Sequence, residues 1–221
     1  MSDQFFRWDW VADHLEEIRV YFIEHLTLTV LAVGIGLVIS FPLALLAFRR
    51  RRFYAPIASI TGILYTIPSL ALFSLLIPIT HVSVLTAEIG LVSYTLLILI
   101  RNIVTGLEGV SSDVKEAATG MGFTPRQLLW KVELPLALPA IAAGIRIATV
   151  TTIGLVTVTA LIGYGGLGQF ILLGLNRTFN TAIILGGVLS VVFAVAADYI
   201  LLRAERLLTP WSRAALKRSV A

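Results

Sequence analysis

The chain has 221 residues, of which 57% are hydrophobic and 14% charged, and its mean hydropathy is +0.91. Soluble domains carry about 25% charged residues, so the composition excludes an ordinary water-soluble domain and identifies an integral membrane protein. The net charge of +4 does not indicate nucleic acid, because the basic residues lie at the ends of apolar runs, and the lack of cysteine removes disulfides and Cys-ligated zinc.

Residues 1–25 read as a polar segment outside the membrane. From Trp8 onwards they form an amphipathic interfacial helix, with Trp8, Trp10, Tyr21 and Phe22 suited to a headgroup layer. The acidic and aromatic N-terminus lacks the basic n-region of a cleaved signal, so no cleavage is expected. A first span, Leu26 to Phe48, is free of charge and long enough for about 30 Å of hydrocarbon. Arg49, Arg50, Arg51 and Arg52 stop it. The next apolar stretch, Phe53 to Ile79, contains Pro68, which must break or bend a helix and free the Leu64 carbonyl. A third span lies within Leu85 to Leu107. A fourth is expected from Ile147 to Gly166, with Arg146 at the inner interface, and a fifth from Thr181 to Leu202. The reading is thus all-α with about five transmembrane helices: one permeation domain over 26–203 that includes a loop at 108–135, then a basic tail over 204–221. Thirteen Lys and Arg fall on the side of that loop, three on the other, and Arg146 at the boundary. The positive-inside rule then places the loop and the C-terminus in the cytosol and the N-terminus outside.

Within the loop, EAATGMGFTPRQLLWKVELP (Glu116 to Pro135) is a polar island between apolar runs. Asp113 is a candidate N-cap with Glu116 reaching back to it, and Gly122 is placed to end the helix in the left-handed conformation. Thr124, Pro125 and Gln127 form a capping box with proline at the first helical position, and Pro135 is expected to end the second helix. Two short helices joined at a corner make a rigid knob.

The order Glu116-Ala117-Ala118, then Gly122, then Leu134-Pro135 resembles the EAA coupling loop of ABC-importer permeases, with Val132 where that pattern usually has Ile. Four further stretches, IPSLALFSLLIP, RNIVTGLEGV, VELPLALPAIAAGIRIATV and IGYGGLGQFILLGL, extend the resemblance over about Pro56 to Leu175. They are similar to the permeases of osmoprotectant importers, which carry glycine betaine, choline and carnitine. Methionine-type permeases share the layout and much of the loop. The resemblance implies the type I ABC-importer permease architecture in a bacterial cytoplasmic membrane. It also implies a second permease chain, identical or paralogous, an extracytoplasmic substrate-binding protein, and a separate ATPase subunit that holds ATP and magnesium. This chain would bind no cofactor itself. An ATP-independent channel or secondary transporter is the rival of a different class, weakened by few intramembrane charges and no inverted repeat.

Catalytic signatures are missing from the sequence. It has no phosphate loop, no G-x-S-x-G, and three histidines, His14, His25 and His81, read as terminal or loop residues without metal-site spacing. The cluster Gly163, Gly165, Gly166 and Gly168 matches G-x-G-x-x-G only formally, and reads as a tight outer turn or a contact for a soluble partner. Glu88 and Asp198 read as interfacial anchors, the latter balanced by Arg203 or lipid headgroups. Thr149, Thr152 and Thr159 share one face of the fourth span, either returning hydrogen bonds one turn back or lining a polar path. A quaternary ammonium ion has no N–H and is held by aromatic faces and by carbonyl or hydroxyl dipoles. Candidate path residues are therefore Tyr65, Pro68, Ser69, Tyr94, Thr149 and Thr152, for each of which structural packing is the competing role.

Overall fold

The computed structural model describes residues 5–211, all of whose regular elements are helical. A short helix α1 (Trp8–Asp13) leads into α2 (Leu15–Arg49). Next come α3 (Tyr54–Thr66), α4 (Ser69–Thr80), α5 (Val84–Glu108), α6 (Ser112–Gly120), α7 (Pro125–Leu128), α8 (Leu134–Val158), α9 (Gly168–Arg177) and α10 (Asn180–Leu208). Four stretches are long and apolar enough to cross a membrane, α2, α5, the run Pro125–Ile162 and α10. The bent pair α3–α4 makes a fifth if it counts as one span.

Helix α5 is the centre of the bundle and packs on α2, α3, α4 and α8. Small residues bring it close to α8: a side chain at Gly144 would collide with Asn102, and one at Gly106 with Ala137 and Ala140. Ala140, Gly144 and Ala148, spaced four apart on α8, are the kind of small residues that let two membrane helices pack closely. One apolar cluster, with Ile100, Ile103, Leu107 and Leu129, sits at the end nearer the polar island. A second, with Phe73, Leu91 and Val156, sits at the other end.

Several boundaries differ from the sequence reading. The first membrane helix begins at Leu15 rather than Leu26: the polar segment before the apolar run continues into it as one helix, with Glu16 and Glu17 in the first turn, where carboxylates favour the positive helix end. His25, read as terminal, lies inside α2, fully buried, with Nε2 3.0 Å from the Ile153 carbonyl of α8. Trp10 and Tyr21 are half-buried and pack edge-on against Phe170 of α9, whereas Trp8 and Phe22 are exposed. Helix α9 itself was not anticipated. It is short, and its entry is bent by the glycine cluster, where Gly166 at φ +48° sits against the backbone of His25. Those glycines therefore bring a return segment onto α2 as well as turning the chain.

Pro135 does not end its helix. The chain is continuous from Pro125 to Ile162, 38 residues, because Leu129–Glu133 forms a π turn in which the Leu134 N–H bonds to the Leu129 carbonyl, five residues back. The wider turn accommodates the ring of Pro135, the second residue of α8. Most of the basic tail, including Arg213, Lys217 and Arg218, lies outside the described residues.

Candidate coupling and translocation sites

The polar island folds as a knob at the end of α5 and α8. Ser111, not Asp113, caps α6: its Oγ accepts from the Asp113 N–H at 3.3 Å. The reason is anchoring, since α5 ends at Glu108 and buried Val110 fixes the short connection, leaving Ser111 at the cap and Asp113 inside the first turn, where its charge faces the positive helix end. The helix closes as the glycine predicts. Gly122 has φ +84°, its N–H bonds to the Thr119 carbonyl at 2.9 Å, and the Phe123 N–H bonds to the Ala118 carbonyl at 3.2 Å, a Schellman arrangement. The capping box then starts α7. Thr124 Oγ1 accepts from the Gln127 N–H at 3.3 Å, and Gln127 Oε1 accepts from the Thr124 N–H at 2.9 Å.

Of the six loop positions, Ala118 is buried against the bundle and Leu134 and Pro135 are half-buried, whereas Glu116, Ala117 and Gly122 are exposed together with Val114 and Met121. The knob therefore presents a mixed apolar and acidic tip. Its root is fixed by Lys115, a residue whose role the sequence reading missed. The Lys115 ammonium lies 3.7 Å from the carboxylate of Glu133 in the π turn, donates to the Leu107 carbonyl at 3.4 Å, and sits 5.4 Å from the centre of the Phe48 ring. One side chain thus connects α6 to the ends of α2, α5 and α8. Arg51 pairs with Glu108 beside it.

At the other candidate site, α3 and α4 meet at 96°. Ile67 and Pro68 are extended at the break, and the carbonyl that gains a side-chain donor there is that of Ile67, from Tyr94 Oη, rather than that of Leu64. The Tyr65 ring stands edge-on to Tyr94, with centroids 5.8 Å apart, Pro68 is exposed, and Ser69 opens α4. Four of the six path candidates thus converge on this elbow. The other two do not. Thr149 on α8 returns its hydroxyl to the Ile145 carbonyl at 2.8 Å and faces an apolar crevice of about 610 Å³ shared with α2 and α10, and Thr152 is buried.

The charged residues in the spans are arranged differently from the sequence expectation. Arg146 is paired within the bundle: its Nε and Nη2 donate to the two oxygens of Asp198 at 2.9 and 3.0 Å, and Nη1 to Glu205 at 3.2 Å. Asp198 and Glu205 lie two turns apart and so share one face of α10, a spacing visible in the sequence that would have pointed to a common cation. Arg203, the partner expected for Asp198, instead meets Tyr199. Glu88 is turned into the bundle. It is buried because it lies on central α5, and neither carboxylate oxygen has a partner among the described residues.

A helical bundle of about five spans, with a self-capped knob between the third and fourth, is the architecture of a multi-pass membrane protein. The chain belongs to the family of inner membrane components of binding-protein-dependent transport systems, which it matches over residues 32–211. It is 40% identical to the choline transport system permease protein OpuBB of Bacillus subtilis over 194 residues, covering 88% of this chain and 89% of the relative. It is 39% identical over 192 residues to the osmoprotectant import permease protein OsmW of Salmonella typhimurium, covering 85% and 89%. Among solved structures, an inward-facing MetNI methionine ABC transporter superposes with a TM-score of 0.81 at 25% identity, over 89% of this chain and 98% of that one. Family membership makes this chain the inner-membrane permease of an ABC importer, working with an ATPase subunit and a binding protein.

Proposed function

We propose that this permease carries quaternary ammonium osmoprotectants, glycine betaine, choline and carnitine, and that the knob from Glu116 to Pro135 is its docking element for the ATPase. The observation that supports the coupling role most directly is the construction of the knob. It is closed by its own caps, rooted through Lys115, and continuous with a helix that crosses the bundle, so a push on its tip moves α8 as one body. The loop and the C-terminus lie in the cytosol and the N-terminus outside, in keeping with the basic residues beyond α2 and after α5. Glu116, Ala117, Ala118, Gly122, Leu134 and Pro135 form the coupling set. ATP and magnesium sit on the partner ATPase. Two permease chains enclose the path, and closure of two ATPase subunits swings both knobs to alternate access. The relatives named for choline transport in Bacillus subtilis include two different permease proteins, which supports a paralogous second chain.

The choice of solute rests on sequence likeness. Relatives at 37–40% identity are named for choline, carnitine, glycine betaine or osmoprotectants, whereas the methionine transporter stands at 25%. Tyr65, Pro68, Ser69 and Tyr94 supply aromatic faces and dipoles without a full charge at the elbow, the chemistry a quaternary ammonium ion needs for weak, transient contact. Thr149 and Thr152 extend the set on α8. Reconstituted with its ATPase and binding protein, the complex should take up radiolabelled betaine or choline and leave methionine outside, and Tyr65→Ala should slow uptake with ATPase binding intact. Methionine uptake without betaine or choline uptake overturns the solute and leaves the importer standing.

A further inference from the structure

Where the knob-side end of α2 meets α7 and the start of α8, two grooves share the Trp130 side chain. The first, about 820 Å³, has a floor of Leu45, Leu46 and Leu129 and a rim of Arg49, Arg50 and Arg126. The second, about 770 Å³, is carbon-lined and runs along α2 and α8 past Phe41, Val38 and Leu37. None of the three rim arginines has a carboxylate partner among the described residues, and two acidic groups at this end of the bundle are engaged elsewhere, Glu108 with Arg51 and Glu133 with Lys115.

We infer that this corner is a binding site for an anionic phospholipid, with the phosphate headgroup held by Arg49, Arg50 and Arg126 and an acyl chain laid in the groove beyond Trp130. Dimensions fit this occupant. From Arg49 to Leu37 along α2 is twelve residues, roughly 18 Å, against about 15 Å for one leaflet of hydrocarbon. Charge fits as well, since unpaired cations at a bilayer surface attract acidic headgroups. Three other occupants fit less well. A soluble ATPase reaches the rim but not the carbon-lined groove, which lies beside the apolar core of α2. The chain beyond Trp211, itself a lining residue of that groove, adds Arg213, Lys217 and Arg218 and would place cation against cation. A second copy brings the same arginines. The proposal holds whichever solute the complex carries.

The test uses the assembled importer in detergent, incubated with equimolar phosphatidylglycerol and phosphatidylcholine and read by native mass spectrometry. Wild type should retain phosphatidylglycerol in preference. Arg126→Gln, which leaves the topology-setting arginines of α2 in place, should lower that preference about fivefold, the scale of one near-surface cation. Leu46→Trp keeps every charge and fills the floor, and should also reduce retention. Equal retention of both lipids by wild type, or undiminished preference in both variants, overturns the site. So does release of the ATPase subunit by the variants with lipid retention unchanged, which would assign the corner to the protein partner.

Discussion

Two corners in this molecule are built from the same parts, a helix stop, an irregular residue or two, and a new helix, yet they are held in opposite ways. The corner at Gly122 is closed from within: Schellman bonds end α6, a capping box starts α7, and every bond spans five residues or fewer. The corner at Pro68 has no side-chain cap on either helix, and its Ile67 carbonyl takes a donor from Tyr94 of α5, 27 residues away. A corner fixed by local bonds keeps its shape wherever the surrounding bundle moves. A corner fixed by a neighbour keeps its angle only while that neighbour stays in place, and releasing it costs about 1 kcal/mol, the net value of one hydrogen bond. The first suits a lever, the second a joint.

This contrast can be broken experimentally, and the largest effect should come from the base on which the knob works. Asp198→Ala strands Arg146 beside Glu205 alone and should cost about 2–3 kcal/mol, less than the loss of a fully buried pair because Asp198 is partly exposed. Thermal unfolding in detergent measures it, and Arg146→Met combined with Asp198→Leu should recover part of the loss. Gly122→Val comes next. Nothing lies within 4 Å of a Cβ at that position, so the penalty, about 1–2 kcal/mol, is conformational and arises from the positive φ. It should appear as fewer solutes moved per ATP hydrolysed, with membrane insertion intact and Gly122→Asn near wild type. Normal coupling in Gly122→Val would leave the knob without its lever role.

Smaller effects sharpen the comparison. Thr124→Ala removes a cap and should destabilise the knob by about 1 kcal/mol, seen as faster local amide exchange in α7 and unchanged exchange in α5. Tyr94→Phe keeps the ring beside Tyr65 and loses only the hydroxyl on Ile67. Spin labels on α3 and α5 should report a broader distance distribution, with stability lowered by about 0.5–1 kcal/mol. An unchanged distribution would mean that packing alone sets the elbow.

What could be read in the sequence follows the same division. Gly122, the Thr124 box and the arginine stop after α2 depend on neighbours a few residues away, so their chemistry was visible. The apolar middle of each span was visible too, because hydrocarbon thickness sets it, although the first and fourth helices begin well before the expected bounds. The long-range choices were not: His25 buried against Ile153, Glu88 enclosed on the central helix, and Arg146 reaching Asp198 across 52 residues all depend on which helices adjoin. The cap at Ser111 instead of the expected Asp113 was a shift of two residues, decided by the burial of Val110. Pro135 misled for a different reason. Proline stops an α turn, and the chain avoided that outcome by changing the kind of turn.

That π turn has a consequence for the direction in which the knob points. It holds one residue more than an α turn, and each residue of an α-helix advances the side chains by about 100° around the axis. The residues at 129–133 therefore set the azimuth of everything N-terminal to them against the face of α8 that carries Arg146. Deleting a single residue there would leave both the docking tip and the membrane shaft intact in composition, and turn one relative to the other by more than a quarter of a revolution. On the docking role proposed for the knob, the ATPase would then meet the same surface facing the wrong way.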